Sequence, residues 1–204
     1  MRVRTVRGSL FFLCVAVGGL AQDAPLNELA FGLGGIPSIS RGASPSVQLG
    51  AGPALQVNYG RRLFSADLVA IYGEINFVAN PLRDVATTAG SATRNVASLY
   101  VTPGIRVKLL PKSRFSPYFA IGGGYADFEQ SRTQINGSPN TAPRQLGRGA
   151  FDAGGGIDVR TWRWIALRGE IRDFYSGAPA YNIATIRGGQ NDIMATGAFV
   201  LRWH

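Results

Sequence analysis

The chain has 204 residues, a formal net charge of +9, 46% hydrophobic residues and only 16% charged residues. One histidine and one cysteine leave little material for a transition-metal centre. Glycine (27 residues) and proline (11 residues) interrupt each apolar stretch before two helical turns could form, so an all-β domain is predicted.

The first 21 residues have the pattern of a secretory signal. Arg2, Arg4 and Arg7 precede an apolar run, 10–20, that ends on small residues. This run is shorter than the roughly 20 apolar residues that cross a bilayer. We therefore predict a signal peptide at 1–21, exported through the Sec pathway, and one domain at 22–204. Cleavage there would also remove the only cysteine, Cys14. Export argues against a nucleic-acid partner, and anionic lipid headgroups or lipopolysaccharide phosphates become the expected neighbours of the positive charge.

Alternation of apolar and polar residues is the dominant pattern after the signal. It runs through Leu99–Leu109 and again through Ile165–Arg172, where Ile165, Leu167 and Ile171 face away from Arg168, Glu170 and Arg172. Eight strands are predicted, at 28–34, 47–59, 63–73, 97–109, 115–128, 149–160, 164–175 and 193–203. Most of them reach the roughly 9–11 residues that a tilted strand needs to cross a bilayer.

The predicted connections alternate between long and short. Long segments lie at 35–46, 74–96, 129–148 and 176–192, and short ones at 60–62, 110–114 and 161–163. This rhythm is typical of a bacterial barrel with both termini in the periplasm. The sequence thus predicts an eight-stranded antiparallel up-and-down transmembrane β-barrel in the outer membrane of a Gram-negative-type bacterium.

Aromatic residues cluster at the predicted strand ends, as in the two interface girdles of such barrels. The predicted short-turn girdle contains Tyr59, Phe64, Phe115, Trp162, Trp164 and Trp203, and the long-loop girdle contains Tyr72, Phe77, Tyr125, Phe128, Phe151 and Tyr175. Pro53 and Pro103 fit poorly, because proline removes a hydrogen-bond donor from a strand with two neighbours. A bulge would accommodate each of them. The glycine triplets 122–124 and 154–156 are interpreted as room for side chains inside a narrow barrel.

Two segments, SLYVTPGIRVKLLPKSRFSPYFAIGGGYADF (98–128) and GGGIDVRTWRWIALRGEIRDFYSG (154–177), each hold a strand, a tight turn and a returning strand. In these segments the chain resembles the OmpA/OmpX-like eight-stranded outer-membrane β-barrel family. The resemblance implies recognition of the last strand by the barrel-assembly machinery through Phe199, Leu201 and Trp203. Family members usually end on an aromatic residue, whereas here His204 follows Trp203.

Charged residues at alternate positions are predicted to face the lumen and to neutralise one another: Asp67, Arg106, Lys108, Asp152, Asp158, Arg168, Glu170 and Arg172. We interpret them as a structural network, because eight strands leave a lumen just wide enough for side chains to fill. A gated ion path and a catalytic carboxylate pair are the alternatives. No cofactor is expected, and a Ser/His enzyme is disfavoured because His204 is predicted at the periplasmic mouth.

Six arginines are predicted in loops: Arg83, Arg94, Arg132, Arg144, Arg148 and Arg187. They are either solvated or, in particular Arg94, Arg148 and Arg187, contacts to lipopolysaccharide phosphates. The leading hypothesis is a monomeric, non-enzymatic barrel with a packed lumen and four surface loops that supports the membrane. An adhesion module using loops 74–96 and 129–148, a narrow channel and a soluble periplasmic barrel are the other hypotheses, in that order.

Overall fold

The computed structural model describes residues 24–41, 46–177, 179–183, 186 and 188–204. The predicted signal, 1–21, and Arg187 lie outside these ranges. Within them, the chain forms the following strands: β1 (Asn27–Ile36), β2 (Ile39–Arg41), β3 (Val47–Leu49), β4 (Gly52–Ser65), β5 (Val69–Thr87), β6 (Asn95–Leu109), β7 (Phe115–Gln130), β8 (Gln145–Arg160), β9 (Ile165–Ser176) and β10 (Gln190–Trp203). This part of the chain contains no helix long and apolar enough to cross a membrane.

Eight of the strands close into a ring. Each strand from β4 to β10 pairs antiparallel with the next, and β1 closes the ring by pairing with both β4 and β10. A closed ring leaves no free strand edge, so all backbone groups along the wall can be satisfied within it. The predicted eight-stranded antiparallel up-and-down barrel is confirmed.

The two faces of the wall are inverted relative to a soluble protein. β10 alternates strictly between buried and exposed positions, with Asp192, Thr196 and Arg202 inside and Ile193, Phe199 and Leu201 outside. The same outward exposure of large apolar side chains recurs on the other strands, for example at Leu33, Phe119 and Ile171. Apolar residues outside and charges inside are what a transmembrane barrel requires, because hydrocarbon surrounds it.

The alternation of connection lengths is confirmed, although several strand ends differ from the prediction. Turns 66–68, 110–114 and 161–164 lie at one end, and connections 37–51, 88–94, 131–144 and 177–189 lie at the other. Residues 60–62 do not form a turn: β4 continues to Ser65 with a bulge at Leu63. Most of the predicted loop 74–96 belongs to β5, which keeps alternating through Glu74, Ile75, Asn76 and Phe77.

The predicted strand 47–59 is in fact two strands. β3 leaves the barrel wall and pairs with β2 and with the far end of β5, while β4 begins at Gly52. Val47 and Leu49 are fully buried in an apolar cluster and do not face lipid. The first long connection is therefore a small hairpin that folds over the mouth of the barrel.

Two predicted girdle residues face the lumen instead. Tyr72 and Phe128 are fully buried, whereas Phe77, Tyr125, Phe151 and Tyr175 are about half exposed on the outer face. Tyr72 also lies near the opposite end from the one predicted, since β5 starts at Val69 and the Tyr72 hydroxyl donates to the Pro25 carbonyl at 3.0 Å.

The strand prolines are accommodated without a bulge. Pro53 pairs with Gly35 near the end of β4, beyond the last β4–β5 pair. Pro103 pairs with Ile75 of β5, but the β6–β7 ladder lacks pairs at Thr102 and Pro103 and resumes in the same register. Gly124 lies against this gap, where a Cβ atom would come 3.1 Å from the Pro103 ring. Glycine thus makes room for the proline, and the lost hydrogen bonds stay local.

A charge placed on the outer face tests the membrane orientation. Ile121, mid-strand in β7, is 56% exposed and paired with Ile105 and Ala153. We expect Ile121→Arg to lower the free energy of unfolding in lipid by about 2–4 kcal/mol, and Phe115→Arg, at the end of the same strand, by about 0–1 kcal/mol. Urea titration in liposomes measures both. Equal, near-zero effects would mean that water bathes this face.

Candidate functional site

The lumen holds the only large concentration of charge in the described part of the chain. Five buried carboxylates and five buried cations project into it from six strands: Glu28, Glu74, Asp152, Asp158, Glu170, Arg106, Lys108, Arg168, Arg172 and Arg202. We call these ten residues the lumen network. The equal numbers of acids and bases make it formally neutral, which is what buried charge requires.

Glu28 and Asp158 organise the half of the network nearer the short turns. The Lys108 ammonium lies 2.5 Å from Glu28 and 2.6 Å from Asp158, and Arg168 reaches the same two carboxylates at 3.0 and 2.7 Å. Arg106 adds a third donor to Glu28 at 2.9 Å. Both carboxylates are therefore saturated by cations that come from β6 and β9.

Arg172 organises the other half. Its guanidinium contacts Asp152 at 2.6 Å, Glu74 at 2.9 Å and Glu170 at 3.1 Å, so one cation faces three carboxylates from β5, β8 and its own strand. This local excess of negative charge is offset by the cations of the first half. Arg106 lies 3.6 Å from Glu74 and so touches both halves.

Neutral side chains join the two halves by hydrogen bonds. The Asn58 amide donates to Glu74 at 3.2 Å and accepts from Arg106 and Arg168. Gln56 donates to Glu170 at 2.7 Å, and Tyr118 donates to the other oxygen of the same carboxylate at 2.7 Å. These contacts satisfy lone pairs of Glu74 and Glu170, which is a condition for a buried ion pair to be tolerated, whereas Asp152 Oδ1 and Arg106 Nε have no hydrogen-bond partner among the described residues.

Aromatic rings and glycines shape the space around the cations. Arg106 and Lys108 lie over the Tyr72 ring, and Arg168 lies 5.0 Å from the centroid of Tyr118, all within the range of cation–π attraction. A Cβ atom at Gly60 would come 2.5 Å from the Arg106 guanidinium, and one at Gly122 would collide with Asp152. The prediction that Gly122 provides lumen space is confirmed.

A second polar group closes the long-loop end. Arg83 contacts Asp192 at 2.5 Å and also donates to the carbonyls of Pro37 (3.1 Å) and Gly50 (2.9 Å). Tyr100 donates to the other oxygen of Asp192. Arg83 thereby fastens both ends of the first long connection to the wall, and so it is not the loop arginine that the sequence predicted.

An apolar cluster fills the long-loop end of the lumen and extends along β5 on both sides of Arg83. We call it the apolar cap; it consists of Ile36, Val47, Leu49, Ala54, Val78, Val85, Ala92, Val96, Tyr100, Ala126, Phe128, Phe174, Tyr181, Ile183, Ile186 and Met194. Members come from the wall, from β3 and from the connections 88–94 and 177–189. The cap places a water-excluding layer between the lumen network and the loops.

Seven of the eight predicted lumen residues lie in the lumen network, and Asp67 does not. Asp67 is in the turn 66–68, where its side chain is 88% exposed and accepts a hydrogen bond from Lys112 at 2.7 Å. That hydrogen bond lowers the pKa of the Asp67 carboxyl. The prediction was wrong because the strand was assumed to run through residue 67, whereas the chain reverses direction there.

Sequence reasoning missed Glu28, Glu74 and Arg202 in the network. Glu74 was assigned to a loop, although its alternation with Ile75 and Phe77 is the signal that places it in β5. Glu28 and Arg202 pair directly in the β1–β10 ladder, so the first and last strands of the ring bring them together.

The described residues include no group of three acids, histidines or cysteines arranged to hold a metal ion. His204 is exposed beyond the end of β10, outside the lumen. The network carboxylates are each held by one or more cations, an arrangement suited to fixing charge and not to moving a proton onto a substrate.

Comparisons with known proteins agree on the fold. Neither the family models nor the sequences of curated proteins match this chain. Among solved structures, the chain is similar to the outer membrane protein OprG from Pseudomonas aeruginosa (10% identity, TM-score 0.55, 91% of this chain and 100% of that one) and to Neisserial surface protein A (10% identity, TM-score 0.53, 87% and 96%). The outer membrane enzyme PagL has a TM-score of 0.47 at 12% identity.

At such identities the likeness shows the fold alone. The chain has the fold of small outer-membrane barrels. The more specific likeness to the OmpA/OmpX-like family stays a prediction, and the comparisons decide neither for nor against an enzymatic role.

Removing the central cation of the network tests whether its charges depend on one another. We expect Arg172→Met to cost about 3–5 kcal/mol of unfolding free energy, since Glu74, Asp152 and Glu170 would lose their shared partner. Arg144→Gln, which breaks the exposed pair with Glu129, should cost no more than about 1 kcal/mol. Urea titration in liposomes measures both variants. Equal losses would show that the lumen charges are not mutually dependent.

Proposed function

We propose that this protein is a non-enzymatic, monomeric barrel of the outer membrane whose sealed lumen and four surface loops serve membrane integrity. Export through the Sec pathway, with the signal at 1–21, would deliver it to the periplasm. The long connections would then face the outside and the short turns the periplasm, as in bacterial barrels generally. The observation that carries this proposal is the double closure of the lumen by the lumen network and the apolar cap.

The lumen network opposes ion passage because its charges are already neutralised and desolvated. Arg106, Arg172 and Lys108 are no more than 1% exposed, so no continuous water column is available beside them. A permeating ion would have to break ion pairs of 2.5–3.1 Å in a low-dielectric interior. The apolar cap adds a second barrier, since the polar groups beside it, Arg83, Asp192 and the Tyr100 hydroxyl, are already bonded to one another and leave a permeating ion no replacement for its hydration shell.

The last strand supports assembly through the periplasmic machinery for barrels. Phe199, Leu201 and Trp203 occupy alternate positions on the outer face of β10 and are 38–42% exposed. They form one continuous apolar strip on the outer face that ends at the short-turn side. Recognition of the last strand by the assembly machinery would use such a strip.

Conductance measurements test the sealed lumen. We expect the wild-type protein to give no conductance steps in planar bilayers, because both closures would have to open for ions to pass. Tyr118→Ala/Arg172→Ala, which empties the centre of the network, should give steps if it still shows the faster gel migration of an unboiled barrel. Flotation with liposomes controls for insertion. Steady wild-type steps would contradict the sealed lumen and favour a narrow channel.

Surface recognition is a second candidate, supported by the length of the strands on the loop side. β5 has 19 residues, well beyond the roughly 9–11 that cross a bilayer, and its end carries β3 and β2. This ordered extension would stand above the membrane as a firm surface. Deleting residues 132–143 and measuring attachment to host cells separates the two functions, since a purely structural barrel would lose nothing.

Lipopolysaccharide contact is proposed for the loop arginines. Arg94 is exposed on connection 88–94, while Arg148 is half-buried in β8 and donates to the Gly147 carbonyl at 3.1 Å. Guanidinium groups at this level would meet the phosphates of the outer leaflet. Arg187, on connection 177–189, completes the predicted set.

Co-purification tests this contact. We expect Arg94→Gln/Arg148→Gln/Arg187→Gln to retain less lipopolysaccharide per barrel than the wild type, because each lost guanidinium removes charge-assisted hydrogen bonds to phosphate. Arg132→Gln/Arg144→Gln is the control on a neighbouring loop. An unchanged ratio in the triple variant, or an equal drop in the control, would count against a specific contact.

A further inference from the structure

A cavity of about 320 Å³ lies at the short-turn end, and Arg202 is the residue that it shares with the lumen network. We call it the basic pocket; it is lined by Pro25, Arg160, Arg163, Trp164, Arg202, Trp203 and His204. Its volume is at the lower end of the range for small-ligand sites. Three guanidinium groups and two indole rings give it the chemistry of an anion site with apolar walls.

Strand pairing brings these residues together from distant positions. Arg160 ends β8 and pairs with Ala166 of β9, and the turn between these strands carries Arg163 and Trp164. On the other side, the Arg202 amide donates to the Trp164 carbonyl at 2.9 Å, which fixes the end of β10 beside the turn. The pocket is therefore built on paired backbone rather than on a free loop.

Most of the positive charge of the pocket has no carboxylate partner in the described part of the chain. Within the described ranges, Arg160 and Arg163 form no ion pair. Arg202 is 8% exposed, and its Nε has no hydrogen-bond partner. Its sole carboxylate neighbour there is Glu28, at 3.6 Å, which Lys108, Arg106 and Arg168 already hold at 2.5–3.0 Å.

An acceptor from outside the protein would satisfy the Arg202 Nε–H, and an unmade hydrogen bond at a buried charged group is costly. Phosphate suits several guanidinium groups at once, because each offers paired N–H donors in a plane. The neighbouring indole rings indicate that the phosphate belongs to a lipid. Trp164 is 65% exposed and Trp203 is 42% exposed, at the edge of the apolar outer face, where tryptophan usually marks the boundary between lipid and water.

We propose that the basic pocket binds the phosphate of an anionic glycerophospholipid from the leaflet at the short-turn end. Arg160, Arg163 and Arg202 hold the phosphate, and Trp164 and Trp203 cover the glycerol and the first acyl carbons. This inference rests on the proposed membrane location, and adds to it a defined lipid site at the periplasmic end.

The three tryptophans of the chain, Trp162, Trp164 and Trp203, all lie in or beside this pocket, so tryptophan fluorescence reports on this end of the barrel. The experiment places the whole protein in vesicles of phosphatidylcholine that contain brominated phosphatidylglycerol or brominated phosphatidylcholine as quencher. We expect stronger quenching by phosphatidylglycerol in the wild type. Arg160→Gln/Arg163→Gln should lower that preference by about fivefold or more, because each cation near an anionic lipid contributes a comparable factor.

Arg61→Gln/Arg114→Gln is the matched control, because it removes two exposed positive charges at the same end but outside the pocket. It should keep the wild-type preference. Equal quenching of the wild type by both lipids, or an equal loss in the control, would overturn the lipid site. Competition by added inorganic phosphate without any lipid preference would likewise overturn it and assign the pocket to a free anion.

The quenching experiment distinguishes failure of the lipid site from failure of the proposed membrane location. If neither brominated lipid quenches the tryptophans, the barrel is not inserted and the membrane location itself fails. If both quench equally, insertion stands and only the lipid site fails. Arg202→Lys, which keeps the charge near Glu28, should retain part of the preference. The faster gel migration of the unboiled barrel shows for each variant that a lost preference is not a folding defect.

Discussion

The structure depends on one constraint: a closed ring of strands turns half of every strand inward, and whatever charge lies there must be neutralised in place. β1 closes the ring, and it also contributes Glu28, the carboxylate that Lys108, Arg106 and Arg168 share. Closure of the wall and neutralisation of the lumen are therefore linked. A ring lacking β1 would expose two strand edges and leave three cations without their common acceptor.

Limited volume is the second consequence of closing eight strands. Long side chains such as Arg106 and Arg172 fit only because glycine or short polar residues lie opposite them. Gly60 gives the Arg106 guanidinium its space, and Gly156 does the same for the Tyr118 hydroxyl, 2.6 Å from where its Cβ would be. These two glycines thus serve the packing of the lumen.

The sequence was sufficient to predict the barrel, because apolar and polar residues alternate within each single strand and this pattern can be recognised without knowing the neighbouring strands. Where strands end depends on pairing with neighbours, which no local pattern records. Asp67 was placed in a predicted strand, 63–73, but falls in a turn, and Glu74 was placed in a loop yet continues β5. Tyr72 was read as a lipid-facing aromatic because its partners in the lumen, Arg106 and Lys108, come from the next strand. The Arg83 contacts, which join three separate segments, were likewise beyond local reasoning.

The two ends of the barrel differ in how the lumen is closed. At the long-loop end, the connections are long enough to fold inward, and Val47, Tyr181 and Ile183 close the lumen with apolar packing. The turns at the other end, 66–68, 110–114 and 161–164, are too short to fold over the mouth of the barrel. Arg202 there remains at the margin of the lumen network, with Arg160 and Arg163 beside it and too few carboxylates to match them. Since tight turns cannot supply the missing acceptor, it must come from the surroundings, and at a membrane surface the abundant acceptor is phosphate.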